Sequence, residues 1–489
     1  MLNFKKMKMK KLRYILALLI VSPFALLTSC DKDFEEVNTN PNDPLSVPAE
    51  LLLAGTIRST GDRIQDIFLA GEAGSCWVQH FGKPVYNDNE LYIPRQGSIT
   101  NLWSVLYSSV AKDADVMQKL AAEEGNSKLQ GVALVLKANA FHMLTDAFGN
   151  IPMSEALKGD EGLITPVFDD SETQVYPAII AMLDEANSLL SGSGEINAGQ
   201  DLLYAGDWTK WKKYANSLKF RVLMRASTSG TTALGNIPSQ LQALANSGNL
   251  FTSNADEAKM VYLSAAPNAN PYFEGLIDGG RDTEWCMGEE LVNFMLNTSD
   301  PRLPVYAQEV GGNGSGNGYV GKPAGIQDIG NSFYGDSNNV SLIGEKYLEA
   351  EEPAYFMSYA QLMLYMAEAA ENGWIGGSAA DYFNAGIAAS CESNEVNAPS
   401  IVYQGGAAGL EQIHEQMWVA LYMQGHEAWA EWRRTGVPNL PLAIDAVLPS
   451  IPTRFNYPTS VQSTNGANLA DAVSAQGPDN LTTSLWWNN

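Results

Sequence analysis

Apolar side chains recur every three or four residues over six stretches of the chain, the spacing that lines one face of an α-helix. The stretches are 103–124, 128–148, 172–190, 208–226, 355–371 and 412–433. In the second, Phe141, Leu144, Ala147 and Phe148 form such a stripe, and the run 149–152 (GNIP) stops it with a glycine and a following proline. No comparable series of alternating strands is present, so the pattern predicts an all-α fold. The successive helices read as stacked hairpins, although no fixed repeat of about 34 residues emerges. Between them lie segments rich in Gly, Asn, Pro and aromatics, at 82–97, 265–281 and 309–345. Loops of that length in a compact protein are usually functional or disordered. The last stretch, 448–489, is polar and Pro-containing, reads as irregular, and ends on Trp486 and Trp487 before two asparagines.

The first thirty residues follow a different rule. Lys5, Lys6, Lys8, Lys10, Lys11 and Arg13 precede an apolar run over 14–27 that only Ser22 and Pro23 interrupt. A membrane-spanning helix takes roughly 20 apolar residues, so this run suits the hydrophobic region of a signal peptide instead. Leu27, Thr28 and Ser29 then place a leucine three positions before Cys30 with small residues between. That is a lipobox, and it makes Cys30 the lipidated first residue of the mature chain. The expected organisation is a lipoprotein signal peptide over 1–29, an acidic and Pro-rich tether over 30–49, and one globular domain over 50–489. The protein is expected to be exported and held at a membrane surface by its lipid.

Charge narrows the partners. The chain carries 30 basic and 55 acidic residues, a net of −25; without the six basic residues of the leader, 24 face 55, a net of −31. A body that acidic repels nucleic acid and anionic headgroups. Cys76, Cys286 and Cys391 are too scattered for a disulfide framework or a C-x-x-C site, and whether any two pair stays open.

Familiar catalytic patterns fail one by one. Gly316, Gly318 and Gly321 match G-x-G-x-x-G, but Pro323 stands where a phosphate loop needs Ser or Thr, and no strand–turn–helix surrounds it. His414-Glu415 and His426-Glu427 lack the second histidine of H-E-x-x-H, and no G-x-S-x-G occurs. Acidic pairs abound without one being singled out for glycosidase work. The sequence thus assigns no catalytic residue, no metal and no cofactor.

What remains is aromatic: 11 Trp, 20 Tyr and 16 Phe. Sugar rings stack their C–H faces on such side chains while Asn, Asp and Arg satisfy the hydroxyls. Trp103, Trp208, Trp211, Trp418, Trp429 and Trp432 fall at helical spacing and read as core. Trp77, Tyr86, Tyr92, Tyr272 and Trp285 lie in or beside loops, near Asn87, Asp88, Arg95, Asn270 and Arg281. The candidate ligand set is Trp77, Tyr86, Asn87, Asp88, Arg95, Tyr272 and Trp285.

Seven pieces in order now carry a resemblance: the lipobox with its acidic leader, 38–44 (NTNPNDP), 138–152 (ANAFHMLTDAFGNIP), 204–218 (YAGDWTKWKKYANSL), 300–303 (DPRL), 427–436 (EAWAEWRRTG) and 454–458 (RFNYP). The chain resembles the SusD/RagB family of nutrient-binding outer-membrane lipoproteins, in its second, SusD-like subgroup. It departs at Asn150, where an acidic residue is common, and in the Gly-rich segment 311–325. The resemblance implies a helical fold of four tetratricopeptide-like helix pairs with a loop-rich half that holds the ligand. It implies a lid role over a TonB-dependent SusC-like transporter at the exterior of the outer membrane, with oligosaccharide as ligand and no enzymatic activity. It also implies that Arg433 or Arg434 pairs with Glu427 or Glu431. Capture of peptides or other nutrients through the same architecture is the alternative, and an exported glycosidase a further one.

Overall fold

A computed structural model describes residues 48–488. The expected signal peptide, Cys30, all but the last two residues of the expected tether and the 38–44 piece lie outside the described residues.

Several of the long helices form where an apolar stripe coincides with a side-chain cap. Helix α1 spans Leu53–Ile64. Helix α2, Gln96–Val105, runs without a break through a π-helical segment, Leu106–Ala111, into α3, Lys112–Glu123. The stripe at 103–124 is therefore the last three-quarters of a longer rod. Helix α4, Ser127–Phe148, starts under the Asn126 side chain, which accepts from the Leu129 amide at 3.1 Å. It stops at Gly149, where φ is +84° and a Cβ would collide with Gln476, whose amide donates to the Phe148 carbonyl at 3.0 Å. A π-helical turn, Ser171–Val175, leads into α5, Tyr176–Leu189. Helix α6, Trp208–Ala226, has the bounds its sequence predicts, because Asp207 caps the Thr209 amide at 2.9 Å. Helix α7 covers Ile237–Asn246 and α8 Glu289–Asn297. Helices α3 to α6 pack each against the next, the hairpin stacking expected of tetratricopeptide-like pairs.

The second half repeats the scheme with corrections to the sequence reading. The stretch 355–371 is not one helix. Ala354–Met357 is a strand, β4, and Ser358 then caps α9, Tyr359–Glu371, accepting from the Gln361 amide at 3.2 Å. Strand β4 pairs antiparallel with β2, Ala258–Met260, with Lys259 opposite Tyr355. A second two-stranded ladder joins β1, Phe81–Gly82, to β3, Cys286–Met287. Helix α10, Ala379–Ser393, packs along α9. The stretch 412–433 also divides, into α11, Gly406–Ala420, and α12, Gly425–Thr435. Both halves bury apolar faces, so periodicity runs through the break; the chain turns at Met423, whose φ is +67°. The tail is less irregular than expected, holding α13, Thr459–Thr464, and α14, Gly466–Gln476.

Trp211, Trp418 and Trp429 are buried as read, while Trp103, Trp208 and Trp432 are half-buried against the same core. A charge network holds the halves together. Arg225, fully buried, donates to Asp146 at 3.0 Å, to Glu427 at 2.6 Å and to Glu431. Arg434 clamps Glu368 through both nitrogens at 2.7 and 2.6 Å and Glu431 at 2.8 Å, the i,i+3 pair implied by the motif. Arg433 pairs with neither glutamate; it donates to the Asp146 and Thr453 carbonyls and stacks 3.7 Å from the Trp429 ring centre. The described chain from Ala49 on forms one compact unit.

Candidate functional site

The site begins in an apolar run with one charge in it. Residues Ile67–Ser75 form a π-helical segment, capped where Asp66 accepts from the Phe68 and Leu69 amides at 2.8 and 3.0 Å. Such segments are rare and concentrate at functional sites. Its single carboxylate, Glu72, is closed to solvent and must find partners there. It finds Lys83 Nζ at 3.0 Å, Asn89 Nδ2 at 2.8 Å and Arg95 Nε at 2.6 Å. All three come from the loop between β1 and α2, so one buried acid gathers that loop.

Further ties pin it. The Trp77 indole donates to the Asn89 carbonyl at 2.8 Å, Asn87 donates to the Ile326 carbonyl at 2.5 Å, and Lys322 meets Glu90 at 2.7 Å. The strap 440–447 crosses it, with the Ala443 amide on the Tyr92 hydroxyl at 3.0 Å and the Val447 amide on the Leu91 carbonyl at 3.2 Å. Held on every side, the loop projects Tyr86, 65% exposed with φ at +55°. A left-handed backbone is unfavourable for a bulky residue and marks a position set by its surroundings.

Two guanidiniums share one aromatic partner. Arg95 and Arg281 lie 5.5 and 5.2 Å from the centre of the same half-buried Phe68 ring. Arg281 grips Glu284 at 3.0 and 2.6 Å. Its bond to Glu284 raises the Arg281 pKa, as the bond to Glu72 raises that of Arg95. Underneath, Lys83 Nζ sits 3.0 Å over the Trp285 ring. Burial lowers its pKa, and the Glu72 carboxylate opposes that shift.

Of the residues read from sequence, the structure brings Tyr86, Asp88 and Arg95 to the surface together. Asn87 is adjacent but turned inward by its bond to Ile326. Trp77, Tyr272 and Trp285 need correction as ring faces for a ligand, since none exceeds 1% exposure. Trp77 packs edge-on against Trp429 at 5.0 Å, Tyr272 against Phe81 at 6.3 Å, and Trp285 under Lys83. Neighbouring loops wrap these rings, which form the floor of the site. Phe68, Glu72, Lys83 and Glu284 are the members sequence reasoning missed. The one available signal was Glu72, a solitary charge within the uncharged run 67–78. Cys76, Cys286 and Cys391 are free thiols and buried, and burial pushes the first two thiols up in pKa. Among the described residues, no group of three or more His, Cys, Asp or Glu is placed to hold a metal ion.

A family model described as "Starch-binding associating with outer membrane" (SusD-like_2) matches residues 41–458. Among solved structures, a chitin-binding protein has a TM-score of 0.79 at 27% identity, covering 90% of this chain and 100% of its own. A SusD homologue from Bacteroides fragilis NCTC 9343 has a TM-score of 0.75 at 25% identity, covering 90% and 99%. A chitin-binding SusD homologue from Flavobacterium johnsoniae shares the fold, with a TM-score of 0.75 at 23% identity over 90% and 97%. No curated protein matches the sequence. With the helical architecture and a family match from residue 41 to the RFNYP piece, this chain belongs to the SusD-like family of starch-binding, outer-membrane-associated proteins.

Proposed function

We propose that the protein binds oligosaccharide at the cell surface and passes it to a SusC-like TonB-dependent transporter, over which it acts as a lid. Lipid at Cys30 would keep the body beside that partner at high effective concentration, so a modest interface suffices. The observation that carries the reading is Tyr86, exposed on a loop that buried bonds immobilise and that also exposes Asp88 and Arg95. A backbone held before binding leaves only the Tyr86 side chain to be ordered when a sugar stacks on its ring. Trp77, Tyr272 and Trp285 stiffen the platform from below. The chitin-binding relative at 27% identity favours an N-acetylglucosamine polymer as the first ligand to test. The reading requires no catalysis.

The test is affinity electrophoresis against a panel of polysaccharides, chitin oligomers included, with product analysis of the same samples. Retardation without products is the expected result. Tyr86→Ala should weaken binding roughly 5- to 30-fold, as loss of about 1–2 kcal/mol of stacking and burial. Unchanged affinity would remove Tyr86 from the site, products would overturn the non-enzymatic reading, and capture of peptides alone would replace the ligand class.

A further inference from the structure

Five side chains of alternating charge run through this site in one chain of contacts: Arg95, Glu72, Lys83, Glu284 and Arg281. The successive separations are 2.6 Å, 3.0 Å, 3.9 Å and 2.6 Å. The middle member, Lys83, is closed to solvent, and so is Glu72. The two ends open outward, with the Arg95 side chain 45% and the Arg281 side chain 30% exposed. Three cations against two carboxylates leave one positive charge, on a protein whose net charge is −25.

The hydrogen-bond pattern says what this arrangement still has to offer. Each guanidinium spends Nε and Nη2 on its own glutamate, and Nη1 of both makes no bond among the described residues. The carboxylates are occupied in turn: Glu72 Oε1 accepts from Lys83 and Arg95, Glu72 Oε2 from Asn89 and Arg95, and both Glu284 oxygens from Arg281. What remains at the two ends is donor capacity alone, because a guanidinium cannot accept. Shared contact with Phe68 puts the two guanidiniums no more than about 11 Å apart, within reach of one or two sugar residues. A hydroxyl is served as well by water, which both donates and accepts. An oxygen that only accepts gains most from such a bracket, and charge-assisted bonds are the stronger kind.

We propose that Arg95 and Arg281 together recognise acceptor-only oxygens on one or two adjoining sugar residues of the ligand, the carbonyls of acetamido sugars or the carboxylates of uronates, and that Lys83 is the positioning residue that sets their separation. The inference rests on the glycan-binding reading above and names the chemistry the site selects. Lys83 touches neither end directly. It holds Glu72 and, at longer range, Glu284, each of which orients one guanidinium.

The test is calorimetric titration of the protein with four oligosaccharides of equal length: chitin-derived, the same oligomer deacetylated, an unsubstituted β-glucan and an oligogalacturonate. The acetylated or the uronate oligomer should bind at least tenfold tighter than the glucan; which of the two does so identifies the source of the acceptor, and only uronate binding should weaken steeply with salt. Arg95→Ala and Arg281→Ala should each cut the preference about tenfold, and Arg95→Lys, which keeps charge without the fork, should restore little of it. Lys83→Met should lower the preference in the wild-type background and do nothing further in the Arg95→Ala/Arg281→Ala background. Melting temperatures of every variant separate this from general loosening. Glucan binding as tight as the acetylated and uronate oligomers, or a Lys83→Met effect that persists without the arginines, would overturn the inference. Binding that Tyr86→Ala weakens while Arg95→Ala and Arg281→Ala leave it untouched would overturn this inference alone. Failure of all four oligomers to bind would overturn the glycan reading and this inference with it.

Discussion

The pair that pins the ligand loop from its far side, Lys322 with Glu90, can be tested alone. Both side chains are closed to solvent and their charged atoms are 2.7 Å apart. At an effective dielectric constant of about 20 their attraction amounts to about 6 kcal/mol. Withdrawing two ions from water costs several kcal/mol each, so the intact pair contributes little net stability. Removing one partner is a different matter, since the other charge is then left buried and uncompensated, at about 3–5 kcal/mol. Lys322→Met does that to Glu90. For a body of this size the loss corresponds to about 3–5 °C in Tm, readable by scanning calorimetry and by a lower urea midpoint. Replacing both, Lys322→Met with Glu90→Leu, should recover most of it. The deficit should also depend on pH. Burial raises the Glu90 pKa already, and Lys322 is the principal charge that opposes the shift. Without Lys322 the carboxyl in the fold takes a proton more readily than it does unfolded, so stability is retained at pH below about 4.5 and lost as the pH rises above it. The variant should therefore trail the wild type more at pH 8 than at pH 5. A single variant within about 1 kcal/mol of wild type, or a double variant no better than the single, would refute the reasoning.

Two other variants test the scaffold. Gly74→Ala would place a Cβ 2.5 Å from the Gly425 carbonyl group, forcing the π-helical segment away from α12. Destabilisation of about 1–3 kcal/mol in urea melts is expected, together with weaker glycan binding, because that segment carries Phe68 and Glu72. His80 is fully buried between Trp418 and Tyr422, and desolvation drives its imidazole down to about 3. An unfolded histidine titrates near about 6.5, so the unfolded chain binds the extra proton first. The contribution is present above about pH 6.5 and is lost as the pH falls toward 3, by up to about 5 kcal/mol. His80→Phe should flatten the acid arm of a Tm-versus-pH curve between pH 6.5 and 4, and an unchanged arm would discount the assignment.

How far the fold could be read varied with how local its causes are. Helix α6 was legible to the residue because its cap, Asp207, and its apolar face are both near in sequence. The break between α11 and α12 was not, because Gly425 is required there by its close approach to the 70–75 backbone, some 350 positions away. Strand β4 was hidden within a helical period, and its partner, β2, lies about 100 residues earlier. At the site, Tyr86, Asp88 and Arg95 were legible as loop residues of the right chemistry. Trp77, Tyr272 and Trp285 carried the same signal and face inward, because a loop's exposure depends on what other loops cover it.

The sequence by itself determined the helical class, the family and the residue types available for a sugar, since each is written in periodicity, capping or short motifs whose parts are neighbours along the chain. Tertiary structure alone decided which aromatic ring faces solvent and which charges meet. Lys322 and Glu90 are 232 positions apart, and Arg225 and Glu431 are 206. Burial and ion pairing depend on distance in space, and for groups so far apart in the chain only the packed fold brings that distance below 4 Å.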